Sequence, residues 1–79
     1  MVLIIEDDQL ARTLVTSTLR QDFEPITADK GLDGLKLYLE HAPDVVFLDI
    51  GLPDINGHDV LQCIFKMDSD AYVIMFSGR

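Results

Sequence analysis

Apolar residues along the chain fall into two patterns, short unbroken blocks and longer stretches where they recur every three or four positions. Val2 to Ile5 is an unbroken block with β-branched residues, closed by Glu6, Asp7 and Asp8, which predicts a buried strand. From Gln9 to about Gln21 the spacing becomes helical. Leu10, Ala11, Leu14, Val15 and Leu19 share one face, and Asp8 is placed to cap the first turn. Phe23 to Ala28 predicts a second strand, at a sheet edge because Pro25 has no N–H for a ladder. Asp29 is placed to cap a second helix running roughly from Gly31 to His41, with Leu32, Leu35, Tyr38 and Leu39 on its apolar face. Ala42-Pro43-Asp44 then breaks it. Val45 to Leu48 is again unbroken and needs cover on both faces, as a central parallel strand does, and Asp49 ends it. Gly51, Pro53, Asn56 and Gly57 predict a structured loop before a third helix whose apolar face carries Val60, Leu61, Ile64 and Phe65. Tyr72 to Phe76 is the last strand block, ended by Ser77.

Strand and helix alternate throughout, so the chain is read as one α/β domain over residues 1–79, with right-handed crossovers and a parallel sheet. Sheets of this kind place their functional groups just beyond the carboxyl ends of the strands. Glu6 to Asp8, Asp49 and Ser77 all fall there.

Composition narrows the function classes. The chain has 14 Asp and Glu against 6 Lys and Arg, a net charge of -8, which repels a phosphate backbone and argues against direct nucleic-acid or anionic-membrane binding. Its single cysteine, Cys63, lies among apolar residues at helical spacing and is read as packing. No apolar run reaches the length of a signal peptide core or a membrane span, so a soluble cytoplasmic protein is expected.

The candidate chemistry lies in the acids at the strand ends. Neighbouring strands run about 4.8 Å apart, so if the first and third are neighbours, Glu6, Asp7 and Asp49 converge. Carboxylates packed that closely either retain a proton or share a divalent cation. An all-oxygen donor set favours Mg²⁺, with Mn²⁺ as the substitute, over Zn²⁺. Beside such an ion Asp49 is a candidate nucleophile for a phosphoryl group, and the Ser77 hydroxyl a candidate donor to a phosphoryl oxygen. Each residue taken singly has a blander reading, since strand-end acids commonly cap the next helix. It is their occurrence together that points to a site.

The blocks Val2-Leu3-Ile4-Ile5-Glu6-Asp7-Asp8, Val45 through Gly57 and Val73-Ile74-Met75-Phe76-Ser77 resemble, in order, the motifs of the receiver domain of bacterial two-component response regulators. The resemblance implies a flavodoxin-like parallel sheet of order 2-1-3-4 and a regulatory domain that is not an enzyme in its own right. It makes Glu6 and Asp7 the acidic pair, Asp49 the phosphoacceptor and Ser77 the switch hydroxyl, with Glu6, Asp7, Asp49 and the main-chain carbonyl of Gly51 around Mg²⁺. Pro53 and Gly57 match the loop after the acceptor. The partner it implies is a sensor histidine kinase. The family's fourth helix, fifth strand and fifth helix have no counterpart in these residues, nor does the lysine that pairs with phosphate, because Lys30, Lys36 and Lys66 match no such position. A homodimer, or another chain completing the sheet, is therefore expected, and the alternative function is a non-phosphorylatable dimerisation or interaction module. A phosphatase of the haloacid-dehalogenase type would need an acid where Gly51 stands, and a dinucleotide site a glycine-rich turn where the first acids stand.

Overall fold

Each unbroken apolar block forms a strand in the computed structural model, which describes residues 1–76. The order is β1 (Val2–Ile5), α1 (Gln9–Leu19), β2 (Pro25–Ala28), α2 (Gly31–His41), β3 (Val45–Asp49), α3 (Gly57–Met67) and β4 (Val73–Phe76). All pairings are parallel and the sheet runs β2-β1-β3-β4, the predicted order. Pro25 opens the edge strand β2, where its missing N–H costs nothing, and the ladder begins one residue earlier with Val2 N–H on Glu24 O at 2.9 Å. Phe23 is not part of that strand, because its N–H donates instead to Leu19 O at 2.9 Å behind the end of α1. Tyr72 likewise stays outside β4 and is exposed, although its carbonyl accepts Val46 N–H at 3.0 Å.

The alternation of side chains along each strand divides the sheet into two unequal faces. Leu3, Ile5, Val46 and Leu48 point to one side, where Tyr38 of α2 and Val60 and Ile64 of α3 close over them to form the core. Leu3, Ile5, Leu48 and Ile64 have no exposed surface, and each such side chain contributes about 1.5–3 kcal/mol of burial. On the other side α1 is the covering helix. It buries none of its residues fully, and Leu14, Val15 and Leu19 line a groove of about 390 Å³ with Phe47, Ile74 and Phe76.

Two helix faces differ from the expectation. Leu32 and Leu39 of α2 are 61% and 70% exposed, and its buried residues are Gly31, Gly34 and Tyr38, Gly31 against Val60 of α3 and Gly34 against Ile5 of β1. The reason is proximity: a Cβ on Gly34 would lie 2.5 Å from Ile5 Cδ1, so glycine permits a closer helix than leucine does. In α1, Leu14 is 61% exposed because it lines that open groove, and Leu10, 68% exposed, lies outside it.

Helix ends decide how the loops lie. Asp8 caps α1 as predicted, its Oδ2 accepting Ala11 N–H at 2.9 Å, and Asn56 caps α3 through His58 N–H at 2.8 Å. Asp29 does not cap α2. Lys30 holds the cap position without a side-chain bond, and Asp54 reaches over from the loop after β3 to accept Gly31 N–H at 2.8 Å and Leu32 N–H at 3.0 Å. The same two bonds, with Leu32 the stronger influence, hold the Asp54 carboxyl below the usual carboxylate range. At the far end of the molecule the Tyr38 hydroxyl donates to Asp68 Oδ2 at 3.3 Å. Burial first, and then the Asp68 charge, pushes the phenol above its ordinary value.

Candidate functional site

Register brings the strand-end acids together. Ile5 of β1 pairs with Leu48 of β3, so the residues that follow, Glu6 and Asp49, leave the sheet side by side. Carboxylate oxygens of Glu6, Asp7 and Asp49 lie within 4.8 Å of one another. Glu6 is fully buried and Asp49 is 2% exposed, whereas Asp7 is half-buried. Asp49 Oδ1 accepts Gly51 N–H at 3.2 Å, and Asp49 Oδ2, also buried, accepts no hydrogen bond among the described residues.

A buried carboxylate oxygen with an uncommitted lone pair, close to two further carboxylates, calls for positive charge. The donors are all hard oxygens, and the described cluster contains neither His nor Cys, which fits Mg²⁺ or Mn²⁺. Such an ion would be held by Glu6, Asp7 and Asp49.

The loop after β3 is fixed at both ends. Ile50 N–H donates to Phe76 O at 3.0 Å, and Gly57 N–H donates back to Ile50 O at 3.1 Å. Gly51, exposed, sits within it and orients Asp49 through its own N–H. Gly57 does not have a positive φ, so it is not left-handed backbone that calls for glycine there. A Cβ there would stand 2.7 Å from both Asp49 O and Ile50 Cα, so the residue permits backbone contact beneath the site. Ser77, the predicted switch hydroxyl, lies outside the described residues.

One residue bearing on the site escaped the sequence reading. Arg12, at the end of the first turn of α1, donates from Nη1 to Glu6 O at 2.9 Å and to Asp7 O at 3.4 Å. An arginine on a helix face ordinarily reads as solvated, and main-chain carbonyls leave no sequence signal. No helix among the described residues is long and apolar enough to cross a membrane.

Comparisons with known proteins agree with the fold. The family model described as response regulator receiver domain matches residues 2–79. The chemotaxis protein CheY of Listeria monocytogenes is 38% identical over 98% of this chain and 66% of its own length. Curated transcriptional regulators also match, and of these the chain spans 27% and 33% of the length. Among solved structures, response regulator TrrA of Thermotoga maritima in complex with Mg(2+)-BeF superposes with a TM-score of 0.93 at 32% identity, over 99% of this chain and 69% of that one. TrrA in complex with the histidine kinase ThkA gives a TM-score of 0.90 at 32% identity, over 98% and 67%.

Proposed function

Because the chain belongs to the response regulator receiver domain family, we propose that it accepts a phosphoryl group on Asp49 from a sensor histidine kinase, in a Mg²⁺-dependent step of two-component signalling. The observation that carries this reading is the carboxylate cluster, in which Glu6, Asp7 and Asp49 each bring an oxygen within 4.8 Å of the others while the buried Asp49 Oδ2 accepts no hydrogen bond among the described residues. TrrA, similar over nearly the whole chain, has been seen with Mg(2+)-BeF and with a histidine kinase, which supports both the ion and the partner.

Glu6, Asp7, Asp49 and the Gly51 carbonyl would hold the ion. When bound, it supplies positive charge that offsets the crowded carboxylates and the charge on the transferred group. Asp49 Oδ2 attacks the phosphorus of a phosphohistidine; the O–P bond forms as the P–N bond breaks, and the leaving ring nitrogen takes the electron pair and then a proton. The product is an acyl phosphate. Gly51 N–H holds Oδ1 during this, so the carboxylate presents its other oxygen. Ser77 would donate its hydroxyl to a phosphoryl oxygen and couple the phosphorylated state to the sheet edge. The role is regulatory.

Incubation with acetyl phosphate and Mg²⁺ should add one phosphoryl group, read by intact mass, and Asp49→Asn should abolish it. Equal labelling of that variant would overturn the assignment. Partner binding indifferent to both Mg²⁺ and Asp49→Asn would select the interaction-module alternative instead.

A further inference from the structure

The turn that carries the acidic pair is short and is anchored at both ends. Asp8 Oδ2 accepts Ala11 N–H and Asp8 O accepts Arg12 N–H, both at 2.9 Å, which anchors the C-terminal end of the turn to α1. Glu6 N–H donates to Ala28 O at 3.0 Å, which anchors the other end to β2. Between those anchors, the carbonyls of Glu6 and Asp7 leave the sheet ladder, and both are met by the Arg12 guanidinium, at 2.9 and 3.4 Å. A planar guanidinium bridging two consecutive carbonyls fixes the orientation of two peptide planes at once. The Cα–Cβ directions of Glu6 and Asp7 follow from those planes.

We infer that Arg12 is a positioning residue for the cation pocket: by clamping the Glu6 and Asp7 carbonyls from α1 it holds both carboxylates at the spacing that a divalent ion requires. The inference rests on the metal reading proposed above. Arg12 acts through the main chain and touches neither ion nor phosphoryl group. Its charge and its geometry have opposite effects on metal binding, because a guanidinium near the site repels a cation while the clamp organises the ligands. The sign of the change on removing it therefore separates the two roles.

The test is Mn²⁺ affinity of the 79-residue chain, measured by electron paramagnetic resonance of free Mn²⁺, for wild type, Arg12→Met, Arg12→Lys and Arg20→Met. Arg20, exposed at the end of the same helix, controls for loss of one positive charge. Arg12→Met should weaken Mn²⁺ binding about tenfold or more, the scale on which supporting partners of metal ligands act. Arg12→Lys, which can reach one carbonyl, should recover part of the loss, and Arg20→Met should leave affinity unchanged or slightly tighter. Amide exchange at Asp7 and Asp8 should accelerate in Arg12→Met with no metal present. Unchanged or tighter binding by folded Arg12→Met, with unchanged exchange, overturns the inference; if that variant does not fold, Arg12→Lys with wild-type affinity overturns it equally. Failure of the underlying reading is distinct: Mn²⁺ would then bind wild type and Asp7→Asn alike, or neither.

Discussion

At the scale of single residues, contacts that cross from one loop to another element carry more than the residues nearest in sequence. Asp54 replaces the expected Asp29 as the acceptor for α2 because the loop after β3 lies against that helix start, and both of its oxygens are used. A carboxylate there also faces the positive end of the helix dipole. Asp54→Ala should therefore destabilise the fold by about 1 kcal/mol at neutral pH, the usual scale of a lost cap, measured by urea unfolding. The pH dependence follows from the direction of its shift. Its folded-state value lies below the unfolded 3.8, so its contribution is fully present above 3.8 and is lost as pH falls through the folded value. The gap between wild type and Asp54→Ala should accordingly hold from pH 7 to pH 5 and narrow as acid protonates Asp54. A gap that widened in acid would contradict this account.

At the scale of elements, close backbone approach sets where α3 begins and where Asp49 ends. The Gly57 position, first in α3, would place a Cβ against Asp49 O and Ile50 Cα, both main-chain atoms that cannot turn aside. Gly57→Ala should cost about 1–3 kcal/mol despite the better helix propensity of alanine, and should weaken Mn²⁺ binding because Asp49 must shift. Gly31→Ala is the contrast, since a Cβ there would meet side chains of half-buried Ile55 and fully buried Val60 rather than the main chain at Asp49; it should cost stability yet spare Mn²⁺ binding. Strands and helices were legible in the sequence because unbroken and periodic apolar blocks differ in kind. The strand-end acids were legible for the same reason: Glu6, Asp7 and Asp49 interrupt apolar blocks abruptly. What the pattern could not carry was how closely elements approach. Periodicity groups Leu32 with Leu39, but the contact of Gly34 with Ile5 decides that neither is buried. The bonds of Arg12 and Asp54 end on main-chain atoms, which no residue type announces.

At the scale of the whole molecule, the two faces of the sheet are unequally covered, and the difference bears on assembly. The β4 strand forms one edge of the described sheet, with Ile74 38% exposed and Tyr72, just before the strand, 64% exposed, beside the open groove lined by Phe47 and Phe76. An apolar edge strand of this kind pairs readily with another copy of itself. The net charge of -8 on an 8.9 kDa chain opposes that encounter, and salt screens it, with a screening length of about 10 Å at 0.1 M. Light scattering coupled to size exclusion should thus find self-association that rises with sodium chloride and with protein concentration, the reverse of an assembly held by ion pairs. Ile74→Lys places a charge on the edge at a position that is already partly exposed, so it should return the chain to monomer while circular dichroism stays native. A wild-type chain that remains monomeric in high salt would remove the second copy as the partner at β4.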